Sequence, residues 1–128
     1  MPRSKRQLRN TKNERVCILV FQSLKLKRDY TFYVYILTNP DKSVLYTGFT
    51  GNMTQRLEQH FNKRGTSKTF TGKYYAYKLI YYELYQYASE GIAREKQIKR
   101  WSRAKKENLI NMKNPNWLSL NREFDLDD

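Results

Sequence analysis

Two short runs rich in aromatic and β-branched residues, Tyr33-Val-Tyr-Ile-Leu37 and Val44–Thr50, stand either side of Asn39-Pro-Asp-Lys42. Such runs favour extended backbone, and the break between them has turn chemistry. Pro40 pre-sets the second position of a type I turn, with Asn39 before it and Asp41 after. The three pieces predict an antiparallel hairpin. A turn centred on Pro40-Asp41 sets residue 35 opposite residue 46. Opposed residues share a face with Cβ atoms about 5 Å apart. This register brings Tyr35 and Tyr46 side by side, and Gly48 leaves room on the same face.

Beyond the hairpin the chain predicts an α+β domain with a small three-stranded antiparallel sheet flanked by helices, in the order β-β-α-β-α-α. Gly51-Asn52 breaks the second strand, and Asn52 or Thr50 caps a helix reaching about Asn62, with Met53, Leu57 and Phe61 as its apolar stripe. Residues 63–77 show no period and read as a loop. Lys78–Leu84 is the third strand. Ser89 is expected to cap a helix to about Trp101, and Ser102 a second one to about Met112, stopped by Asn114-Pro115. The acidic end, Glu123–Asp128, is expected to fray. The domain organisation is a basic extension over 1–30, a domain over 31–117 and an acidic tail over 118–128.

A chain of 128 residues supports one core. Its formal charge of +13 points to a polyanion, with nucleic acid ahead of a membrane surface and a merely solvated surface as the alternative. More than half of that charge lies in residues 1–30, which hold nine Lys/Arg against Glu14 and Asp29. This extension is expected to be weakly ordered. Cys17 and His60 are the only residues of their kinds, which excludes a disulfide within the chain and a multi-cysteine zinc site. Any metal must then be held by carboxylates and water, which favours magnesium or manganese. No apolar run approaches the roughly 20 residues of a membrane span, and no secretory cleavage pattern follows Val16–Leu24. A cytoplasmic location is expected.

Glu95 is the residue most in need of a partner. On a helix it falls between Ile92 and Ile98, about 60° from each, so it faces the packed side or its border. An inward carboxylate is costly unless paired or bound to a metal. The alternatives are an ion pair, for example with Arg56, and a metal site. The same helix and its successor carry Arg94, Lys96, Lys99, Arg100, Arg103, Lys105 and Lys106. This ridge is the densest candidate for tracking a phosphate backbone, against the alternative of a solvated helical face. Tyr74, Tyr75 and Tyr77 either stack on bases or pack internally.

Tyr33-Val-Tyr35, eleven residues ahead of Tyr46-Thr-Gly48, resembles the paired tripeptides of the GIY-YIG nuclease superfamily. Arg56 and His60 stand ten and fourteen residues after Tyr46, as in that family. Glu95 follows the third strand, on the helix where the family keeps its metal-binding glutamate. The stretch from Arg94 to Lys106, followed by Asn114-Pro-Asn-Trp117, is similar to the small single-domain bacterial members of the YhbQ type. The resemblance covers Tyr33–Trp117. It departs at Tyr33 and Thr47, and at Phe49, where the excision-repair members carry a lysine.

The resemblance implies a DNA endonuclease of repair or processing, with one Mg²⁺ or Mn²⁺ on Glu95. Tyr46 would be the general base, Arg56 the clamp on the scissile phosphate, and Tyr35 a positioning group for water or phosphate. His60 would orient groups or relay a proton. A free tyrosine titrates near 10, about three units above neutrality and worth roughly 4 kcal/mol. With Phe49 in place of lysine, Arg56 and the metal must supply part of that shift. Cleavage is therefore expected to rise towards alkaline pH. The alternative is a non-catalytic nucleic-acid binder that retains the fold. RNA, single strands and branched DNA are all open as substrates.

Overall fold

The computed structural model describes residues 31–127, so the basic extension and its charge lie outside the described residues. The expected order is found, with two short additions. β1 spans Phe32–Thr38, β2 Leu45–Thr50 and β3 Lys78–Tyr85, and they form one antiparallel sheet in the order β2-β1-β3. Helix α1 is Met53–Asn62, α2 Phe70–Lys73, α3 Ala88–Lys99 and α4 Arg103–Lys113, and a 3₁₀ turn covers Asn121–Phe124. The stretch 63–77 is thus not wholly loop. Thr69 caps α2 by accepting from the Gly72 amide, a local bond that gives no periodic signal over four residues.

The hairpin register differs from the expected one. Tyr35 stands opposite Gly48, and Tyr46 opposite Leu37. The turn does centre on Pro40-Asp41, closed by Lys42 N–H to the Asn39 carbonyl at 2.9 Å. The Asn39 side-chain oxygen, however, also accepts from the amides of Ser43 (2.8 Å) and Val44 (3.3 Å). Those two residues are held out of the ladder, so pairing begins only at Thr38–Leu45. The guanidinium of Arg103 fastens the loop from outside through the carbonyls of Ser43 (2.8 Å) and Lys42 (2.9 Å). A two-residue shift preserves facing, so Tyr35 and Tyr46 still share a side, now as diagonal neighbours.

The sheet is buried on both sides. Tyr35, Leu37, Met53, Leu57, Ala76 and Leu79 form the core under α1. Val34, Ile36, Ile80, Tyr81, Ile98 and Ile110 form the core under α3 and α4. Asn52 caps α1 and Ser102 caps α4, each accepting from an amide three residues on. Helix α3 starts one residue before Ser89, with Tyr87 at its cap and no side-chain capping bond. Its end is held by packing instead: a Cβ on Gly91 would lie 2.6 Å from a ring carbon of Phe49.

The acidic end docks rather than frays. Leu120, Phe124 and Leu126 pack against the core under α1. The amide of Leu120 donates to the Leu79 carbonyl at 2.7 Å, and the buried Asn121 side chain accepts from the Leu79 amide at 2.7 Å and donates to the Tyr77 carbonyl at 3.1 Å. β3 is an edge strand, and this segment satisfies the outward backbone groups at its start, on Leu79. Among the described residues no helix is long and apolar enough to cross a membrane.

Candidate active site

The site grows from the face of the hairpin that carries Tyr35. That ring is wholly buried and lies flat over Gly48, where any Cβ would overlap its Cζ and hydroxyl oxygen. Tyr46 is half-buried, with its ring centroid 6.3 Å from that of Tyr35. His60, on the inner face of α1, closes the triangle with centroids 6.0 Å from Tyr35 and 5.7 Å from Tyr46.

His60 is fixed at both nitrogens. Nε2 lies 3.1 Å from the Tyr35 hydroxyl, and Nδ1 lies 3.1 Å from the hydroxyl of Thr71 on α2. Burial, with the charges of Arg56 and Lys63, pushes the imidazole down to about 4. The ring is therefore neutral at neutral pH. Burial, together with Tyr46, pushes the Tyr35 phenol well above its ordinary value, with Arg56 opposing and Glu95 adding to the rise. Tyr35 thus keeps its proton. If that proton is donated to Nε2, Nδ1 carries the ring proton and donates to Thr71.

Arg56, half-buried one turn before His60 on α1, acts on both Tyr35 and His60. Glu95 comes from the other side of the sheet. Its helix packs across β1 and β2, and β2 is an edge strand that side chains can pass. Glu95 sits at the border of the packed side, as its spacing suggested, but the buried stripe is Gly91 and Ile98 while Ile92 is exposed. Its side chain is 16% exposed and pairs with Lys99 Nζ at 2.9 Å, not with Arg56. The carboxylate holds the Lys99 ammonium in its charged form. That ammonium is 6.0 Å from the centre of the Tyr46 ring.

Several expectations change. The basic ridge is not one continuous surface. Arg94 is spent on Glu83 (2.9 and 3.0 Å), and Arg103 on Glu107 and the hairpin loop. Burial pushes Glu83 up, but hydrogen bonds from Arg94, Tyr81 and Tyr85 outweigh it and leave the carboxyl below its usual range. Lys105 lies over the Trp101 ring. Lys96 and Lys99 on α3 and Arg100 just beyond its end remain exposed. Phe49 faces away from the two tyrosines, stacked on Phe32 and wedged against Gly91, because alternate residues of a strand face opposite sides. Tyr77 packs edge-on against Phe61, whereas Tyr74 and Tyr75 are exposed. Thr71 and Phe70 have no counterpart in the sequence reading: they lie in an aperiodic stretch, and only the fold carries them to His60 and Tyr46.

Residues 31–108 match the model of the GIY-YIG catalytic domain. The chain belongs to the GIY-YIG family. It is also similar to UPF0213 proteins. One from Clostridium perfringens is 36% identical over 94 residues, covering 73% of this chain and 98% of the relative. One from Syntrophus aciditrophicus is 42% identical over 78 residues, covering 61% of this chain and 87% of the relative. A solution NMR structure of a UPF0213 protein from Bacillus halodurans matches with 30% identity over 68% of this chain and 89% of that one, at a TM-score of 0.44. The domain is thus of nuclease type, and GIY-YIG membership implies a nucleic-acid substrate.

Proposed function

We propose that the protein is a metal-dependent endonuclease that hydrolyses phosphodiester bonds of DNA, in repair or processing. The observation that carries this reading is the gathering of Tyr35, Tyr46, Arg56, His60 and Glu95, drawn from both hairpin strands and two helices, into one partly buried site. Their protonation states divide the work. Tyr35 keeps its proton and offers a fixed hydroxyl; His60 is neutral and anchors it. Tyr46 alone of the two phenols reaches solvent, which suits it to take a proton from attacking water. Arg56 supplies positive charge where the phosphate becomes more anionic.

Among the described residues no group of three or more His, Cys, Asp or Glu could cage a metal. A single sheltered carboxylate, with water filling the other positions, still fits Mg²⁺ or Mn²⁺. Glu95 would hold the ion, which supplies a Lewis acid for the phosphoryl and leaving oxygens. Lys99 holds only Oε2 of Glu95, so Oε1 would be the oxygen offered to the ion, with the ammonium beside the Tyr46 ring.

The test is incubation of supercoiled, branched and single-stranded DNA with Mg²⁺ or Mn²⁺, comparing the wild type with Tyr46→Phe and Glu95→Ala. Nicking by the wild type and its loss, by at least a hundredfold, in both variants is expected. Equal nicking by all three would mean a contaminant and sink the proposal. The Lys99–Glu95 pair favours a second reading, because an ammonium bonded to Oε2 competes with a cation for the single sheltered carboxylate. In that case the chain binds nucleic acid without cutting it, and all three proteins bind with a steep salt dependence and none nicks.

A further inference from the structure

A pair of exposed aromatic rings adjoins Tyr46. Phe70 opens α2 and is 47% exposed, and Tyr74, four residues on, is 39% exposed. The Phe70 ring stacks beside Tyr46 with centroids 6.2 Å apart and planes 26° apart, and Tyr74 continues the row at 4.9 Å from Phe70. Two adjacent, partly exposed rings at the mouth of a site form an apolar surface suited to a ligand.

The row is held rigidly. Thr71, between the two rings in sequence, is buried against His60 Nδ1. Gly72 lets the loop close: a Cβ there would lie 2.6 Å from the Lys63 carbonyl and 2.9 Å from that of Thr66. The Gly65 amide donates to the Gly72 carbonyl at 2.8 Å, and the Ala76 amide to that of Thr71 at 2.8 Å. The surroundings are cationic. Residues 63–78 contain Lys63, Arg64, Lys68, Lys73 and Lys78 and no acid. The Lys73 ammonium lies 5.3 Å from the Tyr74 ring centre.

We propose that Phe70 and Tyr74 form a stacking subsite for an unpaired nucleobase flanking the phosphate that is cut. This rests on the nuclease reading and narrows its substrate. A preordered aromatic row beside cations is what a base and its phosphate require. A base inside a duplex has both faces covered by its neighbours, so only an unpaired one can lie on the row. The subsite selects single strands, flaps or junction ends of DNA or RNA over intact duplex. It is separate from the exposed cations of α3, which lie on another element.

The test measures binding in EDTA, so no turnover is needed, with fluorescein-labelled oligo-dT, oligo-U and a duplex of equal length. The wild type is expected to bind the single strands more tightly than the duplex. Phe70→Ala and Tyr74→Ala are expected to weaken single-strand binding about tenfold each, leaving duplex binding and its salt slope within twofold. Phe70→Trp should retain affinity, and its added indole fluorescence should be quenched by oligo-dT but not by a fully abasic strand of the same length. Both positions are exposed, and circular dichroism checks that the variants fold. Single-strand affinity unchanged in both alanine variants, or equal quenching by the abasic strand, overturns the subsite. If the wild type cuts DNA under that outcome, the nuclease reading survives. If the wild type neither binds nucleic acid in EDTA nor cuts it with Mg²⁺ or Mn²⁺, both readings fall.

Discussion

Because His60 is the only histidine, one NMR signal reports directly on the centre of the site. The ring is 9% exposed, held between two hydroxyls and flanked by the charges of Arg56 and Lys63. Charging it in place would put a cation in a buried site beside two others, and its ionisation is accordingly pushed down from 6.5 to about 4. In the unfolded chain it titrates near 6.5. The depressed value means that the unfolded state takes up a proton first as the pH falls. Stability is therefore full above pH 6.5, declines as pH falls towards 4, and loses nothing further from this group below that. At 1.36 kcal/mol per unit the whole window amounts to roughly 3 kcal/mol, of which about 1 kcal/mol goes between pH 6 and 5. The assay is a titration of the imidazole C–H shift on untagged protein from pH 8 to 3.5, with urea unfolding at pH 7, 6 and 5. An imidazole midpoint at 6 or above, or identical stability at pH 7 and pH 5, would refute the argument that burial dominates here.

Thr47 is 3% exposed and its hydroxyl finds no hydrogen-bond partner, so Thr47→Val is expected to stabilise the domain by about 1 kcal/mol and raise Tm by several degrees in a thermal melt. Gly48→Ala places a methyl group in the space of the Tyr35 ring; it should cost about 1–3 kcal/mol in urea unfolding and abolish nicking, since Tyr35 must leave His60. Asn121→Ala removes buried bonds to the Leu79 amide and Tyr77 carbonyl, and should cost about 2–3 kcal/mol by chemical denaturation. A frayed tail would make that last substitution neutral.

What the sequence by itself determined is local. The aromatic and β-branched runs make the strands, the Pro40-Asp41 pair makes the turn, and Asn52 and Ser102 cap their helices, because each depends on neighbours within four residues. Strand alternation likewise keeps Tyr35 and Tyr46 on one face whichever even register is chosen. The register itself was not local: it turned on Asn39 holding Ser43 and Val44 and on Arg103, sixty residues on, gripping the loop. Charge counting placed Arg94, Lys99 and Arg103 on one ridge, but Glu83, Glu95 and the hairpin carbonyls claim them one by one. The Glu95–Lys99 and Arg103–Glu107 pairs are one helical turn apart and lay within reach of spacing, but the Arg94–Glu83 pair and the grip of Arg103 on the hairpin loop join distant segments that only the fold brings together. The acidic tail hid Leu120, Phe124 and Leu126 for the same reason, since their burial depends on an exposed edge of β3 that exists only once the sheet has formed. Only the tertiary structure decided that Thr71 steadies His60 and that Phe70 carries the line of Tyr46 outwards, because both contacts join segments that share nothing in sequence.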